Sequence, residues 1–370
     1  MSSSTLHVVA FDIPCPPDYG GVIEVFFKIK KLHEQGIHIF LHCFYSKRKP
    51  DIQLEKYCEK VFYYKRTLSL FKLLRYPYIV ASRSSASLLK NISATDAPVL
   101  FEGLHTCFFL DHPALRNRKK IVRIHNIEHR YYMELAKATN DLFKRIYYFV
   151  EAIMLWRFQK KLKHANLLLC ISPSEKNYYS NLFKNTPVIY LPPFAAYERV
   201  ESVTGEGDYV LYHGNLSVAE NERACKYLIN HVAHQINMPL VVAGKKPSSS
   251  LMLLCQKKNI RLIANPDNEQ LKSLVQNAHI NIVFSFQATG SKLKLFTALS
   301  LGRHCITMSN LIDDKLEKTC VVAQDKQQLA GLINEVSLKP FDQEELNKRK
   351  KILSEFFNEQ KATLQLIMES

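Results

Sequence analysis

The sequence predicts an α/β protein built from two doubly wound, Rossmann-like domains. Three observations carry that expectation. The chain has 370 residues, more than one hydrophobic core usually serves. Short apolar runs of strand composition alternate with helical patterns in both halves. Between the two series, residues 196–208 have the small, acidic and glycine-containing look of a linker. The expected division is therefore 1–195, a linker at 196–208, 209–340, and terminal helices at 341–370, the last a candidate for crossing back to the first domain.

Taken in order, the first strand is Leu6 to Phe11, followed by PCPPDYGG and a helix from Val22 to Gln35 with Val25, Ile29 and Leu32 on one side. Gly36 ends it, and Ile37 to Phe44 is the second strand, which makes a parallel βαβ unit. Gly20 and Gly21, at the helix start, could let an anionic ligand approach or could only make the turn. Two later strands run into histidine: Pro98 to Glu102 leads to His105, and Lys120 to Ile124 leads to His125. In an open parallel sheet, ligands sit beyond the carboxyl ends of the strands, so both histidines are candidate site residues. Leu167 to Ser172 and Val188 to Leu191 complete this half.

The second half opens with strand Tyr209 to Tyr212, which leads to Gly214, Asn215 and a helix from Ala219. Strand Leu240 to Ala243 leads to Gly244 and Lys245, and Ile260 to Ala264, with Ile263, leads to Asn265. Strand Ile280 to Phe284 then enters SFQATGSKLKLFTALSLGRHCI, where Thr289 and Gly290 turn the chain into a helix carrying Ser291, Lys292 and Lys294 at its amino end. Free backbone N–H groups, a glycine and nearby ammonium groups suit a diphosphate, although many such junctions bind nothing. Strands at Cys305 to Met308 and Cys320 to Ala323 follow.

The formal charge is +16, and residues 1–200 hold 30 Lys and Arg against 16 Asp and Glu, while residues 201–370 hold 20 against 18. An excess confined to one half fits an anionic partner: a membrane surface, a nucleic acid or a phosphorylated substrate. Nucleic acid is disfavoured, since no zinc-finger, RNP or basic-zipper pattern accompanies the charge. Two basic, aromatic segments, Val61 to Arg83 and Leu142 to Lys163, suit either an anionic bilayer or a solvated helix with an apolar core side. The nine cysteines are odd in number and none lies in a C-x-x-C spacing, which argues against a disulfide framework or a zinc site. With no signal peptide pattern and no apolar run long enough to span a bilayer, the expectation is a cytoplasmic protein, peripheral on the inner face of the membrane.

HGNLSVAENERACKYLI, VVAGKKP, LIANPDNEQLKSLVQNAHINIVFS and TGSKLKLFTALSLGRHCI occur in the order seen in the C-terminal domain of GT-B glycosyltransferases, and the chain resembles the retaining group called glycosyltransferase family 4 (group 1). PPDYGG, FEGLH and RIHNIEHRYY extend the resemblance to the first half. It implies two Rossmann-like domains facing across a cleft, with the nucleotide diphosphate sugar held mainly by the second. By position, it implies that Gly214, Asn215, Lys245, Ile263, Asn265, Gly290, Ser291, Lys292 and Lys294 bind the donor, and that Gly20 and Gly21 border donor and acceptor. His105 and His125 are implied near the transferred sugar. No cofactor and no metal are implied, since helix dipole and basic side chains take the leaving-group charge.

One departure stands out. The family commonly carries two glutamates, one near the sugar and one on the ribose; here those positions are Thr289 and Thr297. Thr297 retains the capacity for one hydrogen bond to ribose, with less charge assistance than a carboxylate. The leading expectation is a hexosyltransferase acting on a carbohydrate or lipid-linked glycan hydroxyl in surface polysaccharide biosynthesis. The alternative is a weak or inactive GT-B scaffold that binds a glycan or protein partner. A dehydrogenase is disfavoured, because no G-x-G-x-x-G fingerprint occurs.

Overall fold

The computed structural model describes all residues except 1–4, 68–71, 73–74, 140, 198, 287–291, 313 and 370, and gives the backbone alone for 292 and 366–369. The chain divides into two compact units, Met1–Phe194 with Thr363–Ser370, and Ala195–Ala362.

The first unit is a sheet of seven parallel strands: β1 (Thr5–Ala10), β2 (His38–Tyr45), β3 (Lys60–Lys65), β4 (Val99–Glu102), β5 (Lys120–Ile124), β6 (Leu167–Cys170) and β7 (Val188–Tyr190). Their order is β3-β2-β1-β4-β5-β6-β7. The apolar residues of β1, β4 and β5 are buried on both faces, as a sheet covered by helices on each side requires. The helix Gly20–Glu34 contributes Val25, Ile29 and Leu32 to that core. It ends at Gly36, whose φ of +77° suits a residue without Cβ. Strand β3 was not read from the sequence as a strand, because KVFYYK at a sheet edge alternates polar and aromatic residues without a clean period.

The second unit has six parallel strands: β8 (Val210–Asn215), β9 (Leu240–Lys245), β10 (Arg261–Ala264), β11 (Ile280–Val283), β12 (His304–Met308) and β13 (Val321–Ala323). Their order is β10-β9-β8-β11-β12-β13. Both sheets therefore place their first strand beside their fourth, and at that reversal the connections leave in opposite directions and open a crevice. Two α/β units with parallel sheets are what the strand and helix alternation predicts.

The long helix Gln343–Glu369 is fastened to the second unit by Arg349, which donates to the carbonyl of Gly302 at 2.7 Å, and by Phe356, whose ring lies 5.1 Å from that of Phe296. Further along, Leu364 is part of the first unit's core.

Candidate active site

At the reversal of the first sheet, β1 runs out through Phe11, β4 through Gly103 and β5 through His125. Gly103 has φ of +74°, and a Cβ there would stand 2.8 Å from His105 Nδ1. The chain can therefore fold His105 back over the strand end. Gly21 has a matching role: a Cβ on it would meet the Phe11 ring at 2.7 Å. Phe11 in turn packs against both histidines, each with its ring centroid 5.5 Å away. His105 and His125 thus flank Phe11 at the strand ends of this unit, with Gly21 against the same ring, while Gly20 is the exposed first residue of the helix Gly20–Glu34.

Under that surface lies a buried charge network. Lys28 Nζ donates to Glu24 Oε2 and Glu102 Oε2, both at 2.9 Å. Arg123 Nε donates to Glu24 Oε1 at 2.9 Å and its Nη1 to the carbonyl of Leu191 at 2.6 Å. His125 Nε2 lies 3.0 Å from Glu102 Oε2. Burial would raise the Glu24 carboxyl, but Lys28, Arg123 and His125 outweigh it and hold it at about 2. Glu24, Glu102 and His125 also have the spacing of a metal-ligand group. Lys28 Nζ already lies between the two carboxylates, and with Arg123 it balances their charge. The network fixes the His125 ring from behind, as outer partners fix a catalytic imidazole.

Glu128 is the other buried acid, at the start of the helix Glu128–Ala138. Burial pushes its carboxyl up to about 8, and Glu175 adds to the push, against a hydrogen bond from Asn126 and the pull of Arg83. Its Oε1 has no hydrogen-bond partner and stands 3.9 Å from His105 Nδ1, which has none either. Burial holds His105 well below the usual imidazole range, with Arg83, His125 and Arg66 in support. A carboxyl that keeps its proton at neutral pH thus stands beside a neutral imidazole, two groups perturbed chiefly by burial at one strand end.

In the second unit the reversal lies between β8 and β11. Gly214 and Gly244 are paired across β8 and β9, and a Cβ on Gly244 would sit 2.1 Å from the Gly214 carbonyl oxygen. A Cβ on Gly214 would meet Lys294 Nζ at 2.8 Å. The ammonium of Lys294 therefore lies against the bare backbone, over the Tyr212 ring at 5.2 Å, and donates to Asn221 Oδ1 at 2.6 Å. Burial lowers it to about 8, against the opposing influence of Cys225 and Glu220. Asn221 also donates to the carbonyl of Asn215 at 2.9 Å, so the loop after β8, the helix Ala219–Tyr227 and the helix Lys292–Leu301 are tied at one point.

Asn215 shapes its own turn, accepting from the Ser217 backbone and hydroxyl. Lys245 ends β9 opposite it. Asn265 has φ of +54° and donates from its backbone to the carbonyl of Gly244 at 2.8 Å, while its side chain accepts from the N–H of Lys246 at 2.7 Å. Ile263 lies on β10, part-buried beside β9. Thr297 is part-buried, and its hydroxyl donates back to the carbonyl of Leu293 at 2.9 Å. Gly214, Asn215, Lys245, Asn265 and Lys294 are thus gathered at the carboxyl ends of β8, β9 and β10. Thr289, Gly290 and Ser291 lie outside the described residues, as does the side chain of Lys292.

The residues that the sequence reading did not select are Glu24, Lys28, Glu102, Arg123 and Glu128 in the first unit, and Asn221 in the second. A signal was present: Glu24 and Lys28 interrupt the apolar side of a helix at a spacing of four, and Glu102 and Arg123 interrupt runs that are otherwise apolar.

Residues 207–337, nearly all of the second unit's sheet and its helices, match the family model described as Glycosyl transferases group 1. A Klebsiella pneumoniae protein described as an uncharacterized 44.6 kDa protein in the cps region is 27% identical over 316 residues, 79% of each chain. Among solved structures, TarM superposes with a TM-score of 0.70 at 9% identity, over 100% of this chain and 99% of that one. A sucrose-phosphate synthase from Thermosynechococcus elongatus gives 0.63 at 15% identity, over 99% and 96%. The UDP-forming α,α-trehalose-phosphate synthase of Burkholderia xenovorans gives 0.63 at 11%, over the whole of both chains. This chain therefore shares the two-unit GT-B fold of these structures, and residues 207–337 of its second unit are similar to the group 1 glycosyltransferase family model.

Proposed function

We propose that the chain moves a hexose from a nucleoside diphosphate sugar to a hydroxyl of a carbohydrate or lipid-linked glycan, with retention and without a metal ion. The observation that carries this is Lys294, a part-buried ammonium pressed against Gly214 at the reversal of the second sheet. It is a cation held at a bare backbone turn, and that combination suits a diphosphate leaving group. In this reading Gly214, Lys245 and Lys294 take the diphosphate, while Asn215, Ile263, Asn265 and Thr297 border the nucleoside. As the bond from the anomeric carbon to the phosphate oxygen breaks, the nucleoside diphosphate leaves with the electron pair, and the acceptor hydroxyl bonds to that carbon and loses its proton.

The first unit would serve the acceptor and the sugar. In this reading Gly20, Gly21, His105 and His125 are its contributions, with Glu128 packed beside His105. The cps region named for the Klebsiella pneumoniae relative supports surface polysaccharide as the product class. A glycan carried on lipid would bring the protein to the inner face of a membrane.

A second reading, a scaffold that binds without turnover, is favoured by Thr297, whose hydroxyl proton is already given to Leu293 and whose side chain offers no charge to a ribose. The test is release of nucleoside diphosphate from UDP-, GDP- and ADP-hexoses in the presence of glycan and lipid-linked acceptors. Acceptor-dependent release from one donor supports the transferase; binding of a donor with no release from any of them supports the scaffold.

A further inference from the structure

The helix Leu142–Phe158 has two apolar sides, and one of them is uncovered. Its buried side consists of Glu151, Ala152, Leu155 and Phe158. Glu151 is accounted for there, since its two oxygens accept from the backbone N–H groups of Tyr78 and Ile79, each at 2.9 Å. On the opposite side Leu142, Ile146, Phe149, Ile153 and Trp156 recur at steps of four and three, a single stripe along the helix. They are 36% to 65% exposed, and Phe143 beside them is 86% exposed. Of the sixteen large hydrophobic residues exposed among the described residues, eight lie on this helix. A patch so concentrated marks a contact surface.

The charges around the stripe identify the partner. Lys144, Arg145, Arg157, Lys160 and Lys163 are all exposed, and the one acid between Leu142 and His164, Glu151, is buried. Lys160 Nζ lies 5.3 Å from the centre of the Trp156 ring. A second copy of this helix would bring these cations together with only Asp141, which caps the helix and lies 3.7 Å from its own Lys144, as an exposed acid, so self-association is opposed. An anionic bilayer meets both features, because apolar and aromatic side chains enter the interface while lysines and arginines reach its headgroups.

The other basic, aromatic segment, Val61 to Arg83, does not share this geometry. Its first part belongs to strand β3, and Arg66, Lys72 and Arg83 donate to Ser82, Ser84 and Phe11 within the unit. Three of its five cations are thus engaged within the unit, with Lys65 and Arg75 exposed, whereas Arg145, Arg157, Lys160 and Lys163 of the other segment all face out.

We propose that the outer face of Leu142–Trp156 docks flat on an anionic lipid bilayer, its apolar stripe at the level of the headgroups. This names the lipid-facing surface of the membrane-side reading given above, on which it rests. Trp156 is the single tryptophan of the chain, so its emission reports the contact directly. The full chain is titrated with vesicles of phosphatidylcholine alone and with vesicles containing about 30% phosphatidylglycerol, an anionic content in the range that attracts basic helices.

The proposal predicts a blue shift and at least about threefold weaker acrylamide quenching with the anionic vesicles at low salt, and a smaller response at high salt. Phe143→Ser/Phe149→Ser should weaken vesicle binding by about tenfold or more, since two exposed aromatic anchors are lost. Met252→Ser/Leu253→Ser, two exposed residues of the second unit, should leave it unchanged. Unchanged Trp156 emission at saturating anionic vesicles overturns the proposal. A dimer that shields Trp156 in vesicle-free buffer also overturns it and assigns the stripe to a second copy. Thermal stabilisation by UDP, GDP or ADP is measured on the same samples, so failure of the donor reading is seen separately from failure of lipid docking.

Discussion

Lys294 is a group whose charge is set by where it lies. With its ammonium lowered to about 8 by burial, it is cationic at neutral pH and loses its charge as pH rises through that value. Affinity for a nucleoside diphosphate should therefore fall between pH 7 and 9, and Lys294→Ala should remove most of that fall while weakening affinity about tenfold at pH 7. Titration calorimetry at several pH values measures both. Glu128 titrates with the opposite consequence for stability. Its folded value of about 8 exceeds the usual carboxylate value of 4.5, so the folded state holds a proton that the unfolded chain releases across that window, and stability falls as pH rises through it. Glu128→Gln should abolish this slope and gain on the order of 2 kcal/mol at pH 8 relative to pH 5, read as a shift in Tm.

The strand ends supply the next scale. Gly214 and Gly244 are neighbours across β8 and β9, yet they predict different outcomes. A methyl on Gly244 would collide with a carbonyl oxygen at 2.1 Å, and backbone cannot step aside cheaply, so Gly244→Ala should cost about 3 kcal/mol in denaturant unfolding. A methyl on Gly214 would meet only the end of the Lys294 side chain, which can swing away; Gly214→Ala should cost little stability and most of the nucleotide affinity. This contrast was only half legible in the sequence. HGN and AGK after apolar runs announced strand ends and tight turns, but pairing between them depends on register, which no local pattern encodes. The charge network shows the same limit. Glu24 and Lys28 read as an ordinary i, i+4 pair on a helix, and only the sheet brings Glu102 and Arg123 to them from 74 and 99 residues away. Lys28→Met should leave Glu102 and Glu24 undercompensated in the core and cost about 3–5 kcal/mol.

Over the whole molecule, fold class was legible because it rests on the coarsest signal, apolar runs alternating with helices on either side of residue 200. The two sheets place their first strand beside their fourth, so the candidate residues of each unit fall at the same place, the strand ends beside the reversal. The second unit gathers there the glycines, asparagines and Lys294 that the motifs named. The first unit gathers His105 and His125, which the sequence also named, above a buried network that it did not, since charged side chains inside apolar runs read as interruptions until their partners are known. Leu142 to Lys163 was singled out in the sequence as a segment for a bilayer or a core, but its open side was not, because a helix apolar on two sides gives no period by which to tell the covered side from the open one. The central claim is that the second unit's strand ends bind a nucleoside diphosphate. Titration calorimetry of UDP, GDP and ADP against the wild-type chain and Lys294→Ala tests it most directly. The account predicts that one of the three binds with a dissociation constant below about 1 mM and loses about tenfold in the variant; no binding of any of them at that concentration, or equal affinity in both proteins, would contradict it.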